Sequence, residues 1–124
     1  MSAARVLAVS VLAARIAYGA ALIAAPARLT GRWLGPAAEG DPAQVALRGL
    51  GAREVLLHAG GIAASLRGEP VRPWLAASVA GDLSDMAATV AGRRGLPDGA
   101  VPATLAVAGA SALLSVAVAA AAER

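Results

Sequence analysis

Residues 44–66 read QVALRGLGAREVLLHAGGIAASL. As a helix this stretch is long and apolar enough to cross a bilayer, whose hydrocarbon core of about 30 Å takes about 20 helical residues. It nevertheless carries Arg48, Arg53, Glu54 and His58. A charged side chain inside a membrane span is costly and has to find a partner, so each such residue marks a candidate site. Partners are at hand in the flanking apolar runs: Asp82 and Asp85 lie in the middle of the run that follows, and Arg15 lies in the middle of the first. The expectation is an all-α protein, a transmembrane up-down-up-down four-helix bundle tied together by these charges.

Composition points the same way. The 124 residues suit one domain, 1–124. Hydrophobic residues make up 58% and charged ones only 15%, more apolar than the 45–50% usual for soluble domains, and mean hydropathy is +0.66. A soluble chain of this kind lacks the polar surface to cover itself, whereas lipid solvates apolar helix faces. The net charge of +3 comes from arginine alone. These arginines are scattered, and there are almost no aromatics on which bases could stack, so nucleic acid is not an expected partner. With no cysteine and one histidine, disulfides and thiol chemistry are excluded, and neither a metal nor a cofactor is expected. No Gly-rich phosphate loop, GxSxG or HExxH occurs.

Four spans emerge, at about residues 6–25, 44–66, 73–91 and 102–122. The start of the chain, MSAARVLAVSVLAA, has the layout of a signal peptide, but Arg15 interrupts its apolar core and the apolar pattern resumes beyond it, which favours a retained span. Pro26 closes span 1. Residues 26–41 form an interfacial segment and loop, with Leu29, Trp33 and Leu34 on one side and Arg28 and Arg32 on the other. Asp41–Pro42 reads as an N-cap followed by a proline at the first helical position. Trp74 is expected to anchor span 3 at the membrane surface. Span 4 carries no charge, only Thr104, Ser111 and Ser115. Gly49, Gly51, Gly60 and Gly61 allow close approach between helices. Short loops place both termini on one side. The arginines divide evenly, with Arg5, Arg67, Arg72 and Arg124 at the terminal side and Arg28, Arg32, Arg93 and Arg94 at the other. They set no orientation, and the expectation of cytoplasmic termini in an inner (plasma) membrane rests on the N-terminal amine.

Depth gathers the charges into one slab. At 1.5 Å per residue from the side of the first loop, Arg48 falls at about 6 Å, Asp85 at about 10 Å, Arg53 at about 13 Å, and Asp82 and Arg15 at about 15 Å. Three basic groups (Arg15, Arg48, Arg53) and three acidic ones (Glu54, Asp82, Asp85) then cancel, as a buried network requires. Asp82 and Asp85, three apart, share a face, as do Glu54 and His58, four apart. Arg48 and Arg53 are about 140° apart around the helix and do not point the same way. The expected pairing joins Arg53 to Asp82 and Arg15 to Glu54, with Arg48 reaching Asp85 or snorkelling to the surface. Tyr18 adds a hydroxyl one turn beyond Arg15. The candidate polar cluster is therefore Arg15, Tyr18, Arg48, Arg53, Glu54, His58, Asp82 and Asp85. No catalytic residue is assigned.

Several of these segments also carry a family likeness. R-x-A-Y-G at residues 15–19, A-P-x-R-L at 25–29, R-W-L-G at 32–35, A-L-R-G-L-G-A-R-E at 46–54, R-P-W-L-A-A at 72–77 and G-D-x-x-D at 81–85 resemble a group of small, uncharacterised actinobacterial integral membrane proteins with the four-helix plan of DoxX-like proteins. The resemblance implies a fold and a membrane location, and no activity.

Structural glue is the plainer reading of such a network, and it leads to a non-enzymatic structural or accessory membrane protein, with the lipid bilayer and a second copy or a larger membrane protein as partners. The alternative is a small ion-coupled carrier or lipophile-binding protein that uses Glu54, His58 and Asp82 as titrating groups. An enzyme acting on a lipophilic substrate would need those carboxylates in two different environments.

Overall fold

The Ser2 hydroxyl opens the first helix by accepting a hydrogen bond from the amide of Arg5 at 3.2 Å. Four more helices follow in a computed structural model that describes residues 2–122. They are α1 (Ala3–Ala24), α2 (Pro26–Leu34), α3 (Asp41–Leu66), α4 (Arg72–Ala91) and α5 (Ala100–Ala122), with 3₁₀ turns at Gly35–Glu39 and Arg93–Gly95. There is no strand among the described residues, so the all-α expectation holds. Met1, Glu123 and Arg124, the last of which entered the count of arginines by side, lie outside the described residues.

The helix ends follow local chemistry. Pro26, Pro42 and Pro73 each occupy the first turn of their helix, where the missing N–H costs nothing. Gly40, not Asp41, takes the cap position of α3, and no side chain caps that end. Asp41 instead places its charge in the first turn, where it favours the helix dipole. Gly35 ends α2 at φ +67° and Gly68 turns the chain between α3 and α4 at φ +76°, both in the left-handed region that glycine enters without strain.

The long helices form two close pairs, α1 with α3 and α4 with α5, and the pairs meet along α1–α5 and α3–α4. The α1–α3 crossing is set by two glycines. A Cβ on Gly19 would stand 2.7 Å from the carbonyl oxygen of Gly51, so only hydrogen fits there. Near the turn that joins α3 to α4, the Trp74 ring lies against Gly60 and its Cβ against Gly61. Trp74, expected to anchor span 3 at the membrane surface, thus also packs α4 against α3, in the hollow that the two glycines leave. Gly49 has nothing within 4 Å and takes part in no crossing of this chain.

In the short helix α2, Arg28 and Arg32 are exposed as expected, but of the expected apolar side Leu29 is 39% exposed and Trp33 and Leu34 are partly buried, the buried edge being Pro26 and Thr30. The helix touches α1, α3 and α5, and it reaches α4 through Trp33, whose indole N–H donates to the Thr89 hydroxyl at 3.0 Å. It therefore closes one end of the bundle. An apolar cluster of Ala8, Leu12, Val71, Leu75 and Val118 fills the other.

Between these ends the usual distribution is inverted. His58, Ser78, Asp82 and Ser115 are buried, while Val45, Leu56, Val107 and Leu113 are each more than 70% exposed. Two helices, α1 and α5, are long and apolar enough to cross a membrane, and only 22% of each apolar window is covered by the rest of the chain. The core helix of a soluble protein would be mostly covered. The charges on α3 and α4 keep those two helices below the same measure.

Candidate functional site: a four-helix polar node

Arg15 occupies the centre of the bundle and reaches all three of the other long helices. Its Nε donates to Glu54 Oε2 at 3.0 Å and its Nη2 to Glu54 Oε1 at 3.3 Å. Its Nη1 donates to Asp82 Oδ1 at 2.8 Å and to the Ser111 hydroxyl oxygen at 2.6 Å. The guanidinium fork suits this task, since its donors lie in one plane and spread in fixed directions. Each of the four residues lies within two positions of the middle of its helix. The node is therefore as far from both ends of the bundle as the chain allows. It is largely closed, with side-chain exposure of 14% for Arg15, 12% for Glu54 and 4% for Asp82.

His58 extends the node by one turn of α3. Its Nδ1 lies 2.6 Å from the backbone carbonyl oxygen of Glu54, and its Nε2 lies 2.9 Å from the Ser78 hydroxyl. A carbonyl only accepts, so these partners assign the proton to Nδ1 and let Nε2 accept from Ser78. Nδ1 also lies 3.6 Å from Glu54 Oε2. Both ring nitrogens are engaged and the ring is fully buried, which is the geometry of a satisfied interior histidine. Two buried oxygens nearby have no hydrogen-bond partner, Asp82 Oδ2 and Ser115 Oγ.

The chain matches no family model, no curated protein and no solved structure. What can be said of the site rests on its own geometry.

That geometry brings together Arg15, Glu54, His58 and Asp82, and it leaves out the rest of the expected cluster. Arg15 meets Glu54 as anticipated. Asp82 pairs with Arg15 and not with Arg53. The reason is azimuthal: Arg53 precedes Glu54 by one residue, hence by about 100° of rotation, so when Glu54 faces inward Arg53 faces out. Arg53 is exposed and makes no hydrogen bond or ion pair among the described residues. Arg48 does not reach Asp85; its Nε donates to the Ile23 carbonyl at 3.2 Å and its Nη1 to Gln44 Oε1 at 3.3 Å, near the end of α1. Asp85 is half-buried without a hydrogen bond of its carboxylate, and the Tyr18 hydroxyl makes none either, the residue being 44% exposed. The expected balance of three charges against three therefore does not form. Inside, one guanidinium faces the carboxylates of Glu54 and Asp82.

Sequence reasoning missed Ser111 as a member of the site, and with it the reach of the node to α5. Its signal was present, since Ser111 is the hydroxyl nearest the middle of a span without charges, level with Arg15. Ser78, four residues before Asp82 and so on the same face of its helix, joins the site through His58.

Proposed function

We propose that this chain is a multi-pass protein of the inner membrane, a bundle in which α1, α3, α4 and α5 all cross the bilayer, with a non-enzymatic structural or accessory role built on the Arg15 node. The observation that carries this reading is the inverted distribution of polarity, with the polar side chains His58, Ser78 and Asp82 inside and large aliphatics outside. In water such an arrangement loses on both counts, because polar groups are desolvated while apolar surface stays wet. In lipid the exposed aliphatic surface costs nothing and an inner polar node holds helices that the hydrophobic effect no longer holds. The inward turn of Glu54 and Asp82 also lets α3 and α4 present a more apolar outer face than their composition suggests. The likeness to small actinobacterial membrane proteins of DoxX-like plan agrees with this and is part of the proposal.

Extraction tests it. The chain stays in the membrane pellet after an alkaline carbonate wash and is released by detergent; release by carbonate alone overturns the reading.

A second reading, an ion-coupled carrier, is favoured by one observation, the partnerless buried oxygens of Asp82 and Ser115 beside the node. The absence of native cysteine makes the distinction direct. Ser115→Cys and Ser78→Cys, in membranes, resist a water-soluble thiol reagent if the node is dry and structural. Labelling at either position, in protein that remains folded, transfers the argument to the carrier.

A further inference from the structure

Two charged side chains near the middle of the long helices have no hydrogen-bond or ion-pair partner within the described chain: Arg53 on α3 and Asp85 on α4. Arg53 lies at the centre of its helix and Asp85 three to four residues from the centre of its own, toward the end closed by α2. At 1.5 Å per residue, both sit on the same side of the bundle's middle, within about 5 Å of height of each other. On the four-span reading, on which this inference rests, an exposed guanidinium at that depth cannot be left to lipid: headgroup phosphates are about 15 Å away, beyond the reach of the side chain.

We infer that Arg53 and Asp85 are the two halves of a reciprocal contact between two copies of this chain, arranged side by side about a two-fold axis along the membrane normal. Such an axis preserves height, so Arg53 of each copy meets Asp85 of the other at one level and both contacts form together. In an isologous interface, residue i touches j and j touches i. Charge complementarity selects the occupant, because near mid-helix depth the described residues carry one orphan of each sign, on neighbouring helices, and a second copy supplies both missing partners. The face around Arg53 suits a helix neighbour. Val45, eight residues before Arg53, and Leu56, three after it, are large aliphatics 73% and 72% exposed. Gly49, one turn before Arg53, has no atom within 4 Å of where a Cβ would stand, which leaves room for close approach by another backbone.

Leu56→Cys, introduced into the full cysteine-free chain, reads the contact by oxidative cross-linking in native membranes. The wild-type background is expected to yield a covalent dimer. Arg53→Glu and Asp85→Arg, each alone, set like charges against each other at both contacts and reduce the cross-linked fraction about tenfold. Co-expressed under different tags, the two single variants pair with one another, since each contact then joins opposite charges, and the double variant pairs with itself. Helix content and a monodisperse detergent profile show that each variant folds; should a reversal fail that check, Arg53→Gln and Asp85→Asn replace it and are expected to lower cross-linking without rescue on mixing. No dimer in the wild-type background, a dimer indifferent to either single change, or folded single variants that do not pair with each other overturns the inference. Carbonate extraction separates the two proposals: a chain that resists carbonate yet never cross-links refutes the dimer and leaves the membrane reading intact.

Discussion

Arg15 makes four hydrogen bonds to three side chains on three helices, and its removal strands two carboxylates at once. Arg15→Leu is expected to cost about 3–5 kcal/mol, the penalty for orphaning a buried ion, read as a lowered unfolding midpoint in detergent. Arg15→Lys, a point charge without the planar fork, falls between the two. Asp82→Asn is milder than Arg15→Leu, because Glu54 still holds the guanidinium, and adding Arg53→Leu to it brings no recovery. A surface pair gives the contrast. Arg67 Nε donates to Glu69 Oε1 at 2.7 Å in the turn between α3 and α4, with both side chains more than half exposed. The Arg67 hydrogen bond holds the Glu69 carboxyl below its ordinary value of 4.5. A lowered folded value stabilises above the ordinary one and is lost as pH falls through the lowered one. Solvent screens this pair, so Glu69→Gln leaves the unfolding midpoint unchanged within error at neutral pH, and whatever difference is measured vanishes as pH falls through the lowered Glu69 value.

At the scale of the helix, close approach is concentrated at a few glycines. Gly51→Ala should separate α1 from α3, since its Cβ would meet the Gly19 carbonyl oxygen and the Leu22 and Ile23 side chains. Gly81→Ala on α4 meets nothing within 4 Å and should gain up to about 1 kcal/mol from helix propensity. Thermal unfolding of the two variants side by side checks both signs. This scale also shows what could be read in advance. Helix extents were legible, because prolines at 26, 42 and 73 and apolar runs mark them in the chain itself. The choice of Arg15, Glu54 and Asp82 was legible from depth. The pairing of Arg53 with Asp82 was misread because depth is a one-dimensional coordinate: Arg53 and Glu54 are almost level yet face different ways. The packing of Trp74 onto Gly60 and Gly61 was not legible either, since a tryptophan after a proline at a helix start has the same sequence signature whether its ring lies in lipid headgroups or against a neighbouring helix.

For the whole molecule, the four-span reading, with its even number of crossings, puts the start of α1 and the end of α5 on one side. Single cysteines placed at Ser2 and Ala122 should label together from the same face of sealed vesicles, and one at Ala37, beside the turn after α2, from the opposite face. Labelling of Ser2 and Ala122 from opposite faces would be incompatible with four crossings and would reassign α3 or α4 to the surface.

The position of Arg15 in the chain has a further consequence, for biosynthesis. The cation at the heart of the node is synthesised before all of its partners, which trail it by 39, 67 and 96 residues. On the four-span reading, α1 enters the membrane ahead of α3, α4 and α5 with its arginine unmet by them, at a toll of about 2.5–3.5 kcal/mol at the helix centre. Its aliphatic residues, among them Leu7, Leu12 and Ile16, must outweigh that toll until α3 delivers Glu54. The glycine crossing of α1 and α3 then acts as an early clasp, and the last helix, bringing nothing but a hydroxyl to the centre, can join a hub already made neutral or negative without any charge of its own to carry in.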